Sequence, residues 1–144
     1  VYGPSYVSLE FALAYYGLIP ERVEELTCVA MLRDKLFQTP VGRFSYRHQP
    51  EPRFSVGITQ ASIDAERRFL IAKPEKALAD LLWFRRGDVA PEDVETFLCD
   101  DMRVDRARLA RLALSRVGAI AARFHCRQID ALAELVKSMK GARA

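Results

Sequence analysis

Residues able to do chemistry are few in this chain and fall in two places. Asp64, Glu66 and the adjacent Glu75-Lys76 pair put carboxylates beside a lysine, the raw material of a metal-dependent nuclease. Such a site needs an acid and a lysine separated by one residue on a strand, because period-two alternation then turns both toward one face. Glu75 and Lys76 are instead neighbours at a helix start and point about 100° apart. They read as a helix-end charge and a surface pair, with Lys76 able to meet Asp80 four residues on. The second place is His125-Cys126. Adjacent residues rarely face each other on a helix, and no acid is set to orient the histidine, so the pair reads as a turn or packing feature. Gly17, Gly42, Gly57, Gly87 and Gly118 are isolated, and no Gly-rich phosphate loop exists. The expectation is a protein that is not an enzyme and needs no cofactor or metal.

Composition narrows the class further. The 144 residues are enough for one domain with a real core. Half are hydrophobic, and a net charge of +3 is too small by itself to argue for nucleic acid. Cys28, Cys99 and Cys126 are odd in number and far apart, with no Cys-x-x-Cys pair and only two histidines. That argues against a zinc site or disulfide framework and for a reducing cytoplasm. No apolar run reaches the length of a membrane span.

The element that positions the rest runs from Arg68 to Trp83. It reads as a buried strand ending at Ala72 that turns into a helix, with Pro74 at the first helical position and Glu75 in the first turn. Ala77, Leu78, Leu81, Leu82 and Phe84 form one apolar arc for the core. Trp83 lies outside that arc, where a large aromatic either covers a neighbouring segment, the expectation here, or waits for a partner. Upstream, Gly3-Pro4-Ser5 reads as a turn, with Ser5 or Ser8 as an N-cap. Leu9 to Tyr16 is a helix apolar nearly all round, ended by Gly17 in the left-handed conformation and by Pro20. Leu26 to Leu32 reads as a strand. Leu36 to Gln49 reads as a hairpin through a type I turn at Thr39-Pro40-Val41-Gly42, its second strand alternating Phe44, Tyr46, His48 against Ser45, Arg47, Gln49. Pro50-Glu51-Pro52 stops that strand. Phe54, Val56 and Ile58 alternate again, and Ala61 to Arg67 is a polar loop. After Trp83 only helices follow: a short one from Pro91 to Leu98, one capped by Asp105, and a last one from Asp130 to Met139, with Lys140 to Ala144 frayed. The expected fold is α+β in one domain over residues 1–144: a buried N-terminal helix, a small antiparallel sheet, then a run of helices, strand-rich over 1–85 and helical over 86–144.

Four blocks carry a resemblance: Pro4-Ser5-Tyr6-Val7-Ser8-Leu9-Glu10; Tyr15-Tyr16-Gly17-Leu18-Ile19-Pro20-Glu21; Thr39-Pro40-Val41-Gly42-Arg43-Phe44-Ser45-Tyr46-Arg47-His48; and Ile71-Ala72-Lys73-Pro74-Glu75-Lys76-Ala77-Leu78-Ala79-Asp80. In this order and spacing they resemble the AbiEi antitoxins, the regulator halves of type IV toxin–antitoxin systems of bacterial phage defence by abortive infection. The likeness covers roughly the first 85 residues; the helical remainder matches in character alone. It marks Ser5, Tyr6, Ser8, Gly17, Pro20, Gly42, Tyr46, Pro74, Glu75, Lys76 and Asp80 as motif positions. Members usually carry an N-terminal winged helix-turn-helix that binds the promoter of their own operon. No such motif lies within residues 1–144, so the resemblance is to the C-terminal antitoxin domain. That implies neutralisation of a nucleotidyltransferase-like toxin and help in repression.

The basic signal is local. Arg103, Arg106, Arg108, Arg111, Arg116, Arg123 and Arg127 fall in one segment with only Asp105 against them. If 116–127 is one helix, Arg116, Arg123 and Arg127 align beside an apolar face of Val117, Ile120, Ala121 and Phe124. Such an edge can dock an acidic protein surface, hold phosphates of operator DNA or another nucleic acid, or simply lay arginine stems over apolar surface. The alternative to the antitoxin reading is therefore a nucleic-acid-binding regulator that uses this surface without any toxin.

Overall fold

The structure, a computed structural model, describes residues 5–30, 34–39, 42–49, 56–62 and 68–143. The chain opens with strand β1 (Ser5–Val7) and helix α1 (Leu9–Tyr15). Strands β2 (Leu26–Ala30), β3 (Lys35–Thr39), β4 (Gly42–His48), β5 (Ile58–Ser62) and β6 (Arg68–Ala72) follow. Helix α2 (Pro74–Phe84) starts at once after β6. Next come a 3₁₀ turn at Pro91–Asp93, the short helix α3 (Val94–Thr96) and a π turn at Phe97–Asp101. Helices α4 (Arg106–Ala110), α5 (Leu114–Phe124) and α6 (Arg127–Arg143) complete the chain. The fold is α+β with a C-terminal run of helices. Among the described residues no helix is long and apolar enough to cross a membrane.

The six strands lie in the order β3-β4-β2-β1-β6-β5. The pairs β1–β2, β3–β4 and β5–β6 are antiparallel, but β2–β4 and β1–β6 are parallel. The sheet is thus mixed rather than all-antiparallel. The reason is β1, three residues long and not expected as a strand, with only its Ser5 expected in a turn. It inserts between β2 and β6, and its Tyr6 and Val7 are buried as a central strand's residues must be. The strand expected to begin near Phe54 starts at Ile58 and takes in Ala61 and Ser62, two residues expected in a loop. Gly3-Pro4, Met31-Leu32, the Pro40-Val41 turn, Pro50-Glu51-Pro52, Phe54, Asp64 and Glu66 lie outside the described residues.

Helix α1 ends as its sequence dictates. Gly17 has φ +74°, its N–H donates to Ala14 O at 3.0 Å, and the Leu18 N–H donates to Leu13 O at 2.9 Å. This pair of bonds satisfies the last carbonyls. At the other end Ser8 stands at the N-cap position without capping. Thr27 Oγ1 accepts from Phe11 N–H instead, at 3.0 Å. Helix α2 is the hub: β6 leads into it, and α1, α5 and α6 pack against it. Every residue from Glu75 to Leu82 is buried, wider than the expected arc. One continuous cluster of buried residues runs from Tyr6 to Val136. Trp83 is half-buried, its ring edge-on to Phe124 at 5.7 Å, and it covers α5 as expected. Asp105 caps α4 through the N–H groups of Ala107 and Arg108.

Candidate functional site

The sequence puts Lys76 and Asp80 one helical turn apart, and the fold then closes over both. Neither side chain has any exposure, and Lys76 Nζ lies 3.0 Å from Asp80 Oδ1. The expected surface pair is a core pair. Its partners come from distant elements that sequence spacing does not connect. Asp80 Oδ2 accepts from Ser8 Oγ at 2.7 Å and lies 2.7 Å from the Tyr6 hydroxyl. That hydroxyl is also 3.0 Å from Gln49 Oε1. With one proton to donate, it serves the closer, charged acceptor. Lys76 Nζ donates to Gln49 Oε1 at 3.0 Å and lies over the Phe124 ring at 4.5 Å and the Tyr6 ring at 5.4 Å. Burial first, and then the Asp80 carboxylate, push the Tyr6 phenol well above its usual range, so it stays a neutral donor.

Gln49, just past β4, is in sequence only one residue of an alternating face, yet it is fully buried in this cluster. Its Nε2 has no hydrogen-bond partner among the described residues. Lys76 fixes the amide orientation, since turning Nε2 toward the ammonium would set donor against donor. Gly57 closes the cluster from the β5 side: its φ is +76°, and a Cβ there would lie 2.9 Å from Lys76 Cβ. Carboxylate and ammonium therefore act on each other and on Tyr6, Ser8 and Gln49.

Glu75 departs from its expected role too. It is 4 % exposed and reaches α5 rather than its own helix end. Glu75 Oε2 accepts from Ala113 N–H at 3.0 Å, and Oε1 pairs with Arg116 Nη1 at 3.1 Å. Gly42 and Tyr46 lie in β4, where Tyr46 is buried beside Cys28 of β2. Ser5 lies in β1 opposite Ala30, and Pro20 follows the end of α1, exposed.

The seven arginines do not form one edge. Arg103 is paired with Glu21, and its hydrogen bond lowers the Glu21 carboxyl below its usual range. Arg106 Nη1 bonds Glu95 Oε2 at 2.9 Å. Arg108 Nη1 donates to Tyr16 O at 3.2 Å, a cation on the carbonyl end of α1. Arg116 is held by Glu75. Arg111, Arg123 and Arg127 are exposed, and their side chains make no hydrogen bond or ion pair among the described residues. The helix expected over 116–127 breaks at His125, which has φ +51° and ends α5. Arg127 therefore starts α6 and does not continue the row. Val117, Ile120 and Phe124 are buried as expected. Near the far end of α6, Lys140 Nζ donates to Ala110 O at 2.9 Å, beside Arg111. Arg127 and Lys140 are thirteen residues apart, or about 20 Å along a helix, so the free cations sit toward opposite ends of α6.

Among the described residues no three His, Cys, Asp or Glu side chains gather as a metal site. Burial pushes the Cys28 thiol up to about 12; Cys126, also buried, lies 3.3 Å from Gln128 Oε1. No family model matches the chain, and no curated protein matches it.

Proposed function

We propose that this chain is a non-catalytic antitoxin domain that neutralises a nucleotidyltransferase-like toxin and assists autoregulation of its operon. The observation that carries the reading is the meeting of the resembling blocks. Tyr6 and Ser8 from the first converge with Lys76 and Asp80 from the fourth on one cluster. These four positions are thus spent on holding sheet to helix, which leaves the surface to do the work, as in a binding module. Three unbridged cysteines support a reducing cytoplasm as its place. The reading expects a nucleotidyltransferase-like protein encoded beside this chain, and co-expression of the two tests it. Growth should be restored, and a folded chain that leaves the toxin fully active would overturn it.

A second reading, a nucleic-acid-binding regulator, draws on the free cations Arg111, Arg123 and Arg127. Its mark is affinity that falls steeply with salt. Charge reversal at these three should abolish binding without unfolding the chain, whereas Arg116 is tied into the fold and is unsuited to that test.

A further inference from the structure

A cavity of about 210 Å³ opens between the end of α1, the first turn of α2 and the end of α4. Arg108 and Arg111 line it together with Glu75 and Tyr16, and Leu18 and Leu112 give it an apolar side. The Arg111 guanidinium has no partner among the described residues. Arg108 spends one N–H on Tyr16 O, and a guanidinium carries five donors. Glu75 is the one carboxylate in the wall. Both of its oxygens are engaged, with Ala113 N–H and with Arg116, so its charge is answered from outside the cavity and the two arginines are left in excess. The first turn of α2 faces the same space, with no side-chain cap at Lys73, and adds positive potential.

We propose that this cavity binds a small phosphate monoester. Two guanidinium forks match a dianion with three acceptor oxygens better than a carboxylate with two. Leu18 and Leu112 offer contact to the first carbons of the ester. The volume is below the roughly 300–1,000 Å³ of sites for drug-sized ligands, so the ligand is a phosphate with a few carbons. The site makes no use of the antitoxin reading. Growth rescue and phosphate binding are separate readouts, and one can fail while the other stands.

The test is titration of the full chain with inorganic phosphate and with glycerol 3-phosphate, at ionic strength held constant by chloride, followed through backbone amide NMR shifts. Shifts should saturate and centre on Gly17, Glu75 and Leu112, with the ester binding more tightly than inorganic phosphate. Arg111→Ala should weaken binding at least tenfold and leave the thermal melt unchanged, while Arg123→Ala should bind like the parent. Shifts that fail to saturate, equal loss in both variants, or parental binding by Arg111→Ala would overturn the site. Equal affinity for the two probes would overturn the ester.

Discussion

Lys76 and Asp80 are two charges taken completely out of water, and each would cost several kcal/mol if left bare. The hydroxyls of Ser8 and Tyr6, the Gln49 carbonyl and two aromatic faces replace the lost solvent. Such a pair adds little net stability but is severe to break. Lys76→Met should therefore destabilise by about 3–5 kcal/mol, read as a fall in the urea midpoint. Lys76→Met combined with Asp80→Leu should recover most of that loss. A single variant that unfolds like the parent would contradict the burial. Sequence could not show any of this. An i,i+4 lysine and aspartate read as a solvent pair on most helices, and the other side chains that hydrogen-bond these two lie 27 to 74 residues away.

At the scale of elements, local chemistry fixes more than long-range pairing. Pro74, Gly17 and Asp105 each act within a few residues, and α2, the end of α1 and the start of α4 follow from them. Gly17→Val should lower the melting temperature, because a β-branched residue resists φ +74°. An unchanged melt would mean the turn re-forms some other way. Two features escaped local reading for one physical reason: neighbours in space decide them. β1 is too short to show alternation, and its flanks, β2 and β6, make it a strand. Gln49 lies just past β4, where alternation shows nothing of the Lys76 that it meets in the core. The break at His125 fits the reading of His125-Cys126 as a turn or packing feature, though not the single helix over 116–127, and histidine is among the residues that tolerate the left-handed region.

For the whole molecule, the single core from Tyr6 to Val136 ties strands and helices into one unfolding unit whose pH response can be worked out. Burial raises the thiol of Cys28 to about 12 from its ordinary 9.0, and raises the phenols of Tyr6 and Tyr16 above 10.0. The folded state thus keeps protons that the unfolded chain releases. Stability is intact below pH 9 and falls as pH rises through the folded values. Cys28 alone contributes a slope of about 1.4 kcal/mol per pH unit between the two thiol values. Cys28→Ala should flatten the loss of stability between pH 9 and 12 in urea titrations. An undiminished slope would place that thiol in contact with water.

The strand order β3-β4-β2-β1-β6-β5 also governs what happens on the ribosome. The sheet is three pairs, each local in sequence, joined by two parallel seams, and the seam between β1 and β6 joins the first described strand to the last. Tyr6 and Asp80 are 74 residues apart, so at 5–20 residues per second roughly 4–15 s separate their synthesis. For that interval β1 and α1 have β2 beside them, while the flank of β1 that β6 will take and the side of α1 that α2 will cover stay open, and the nascent chain offers both to whatever chaperone waits at the exit.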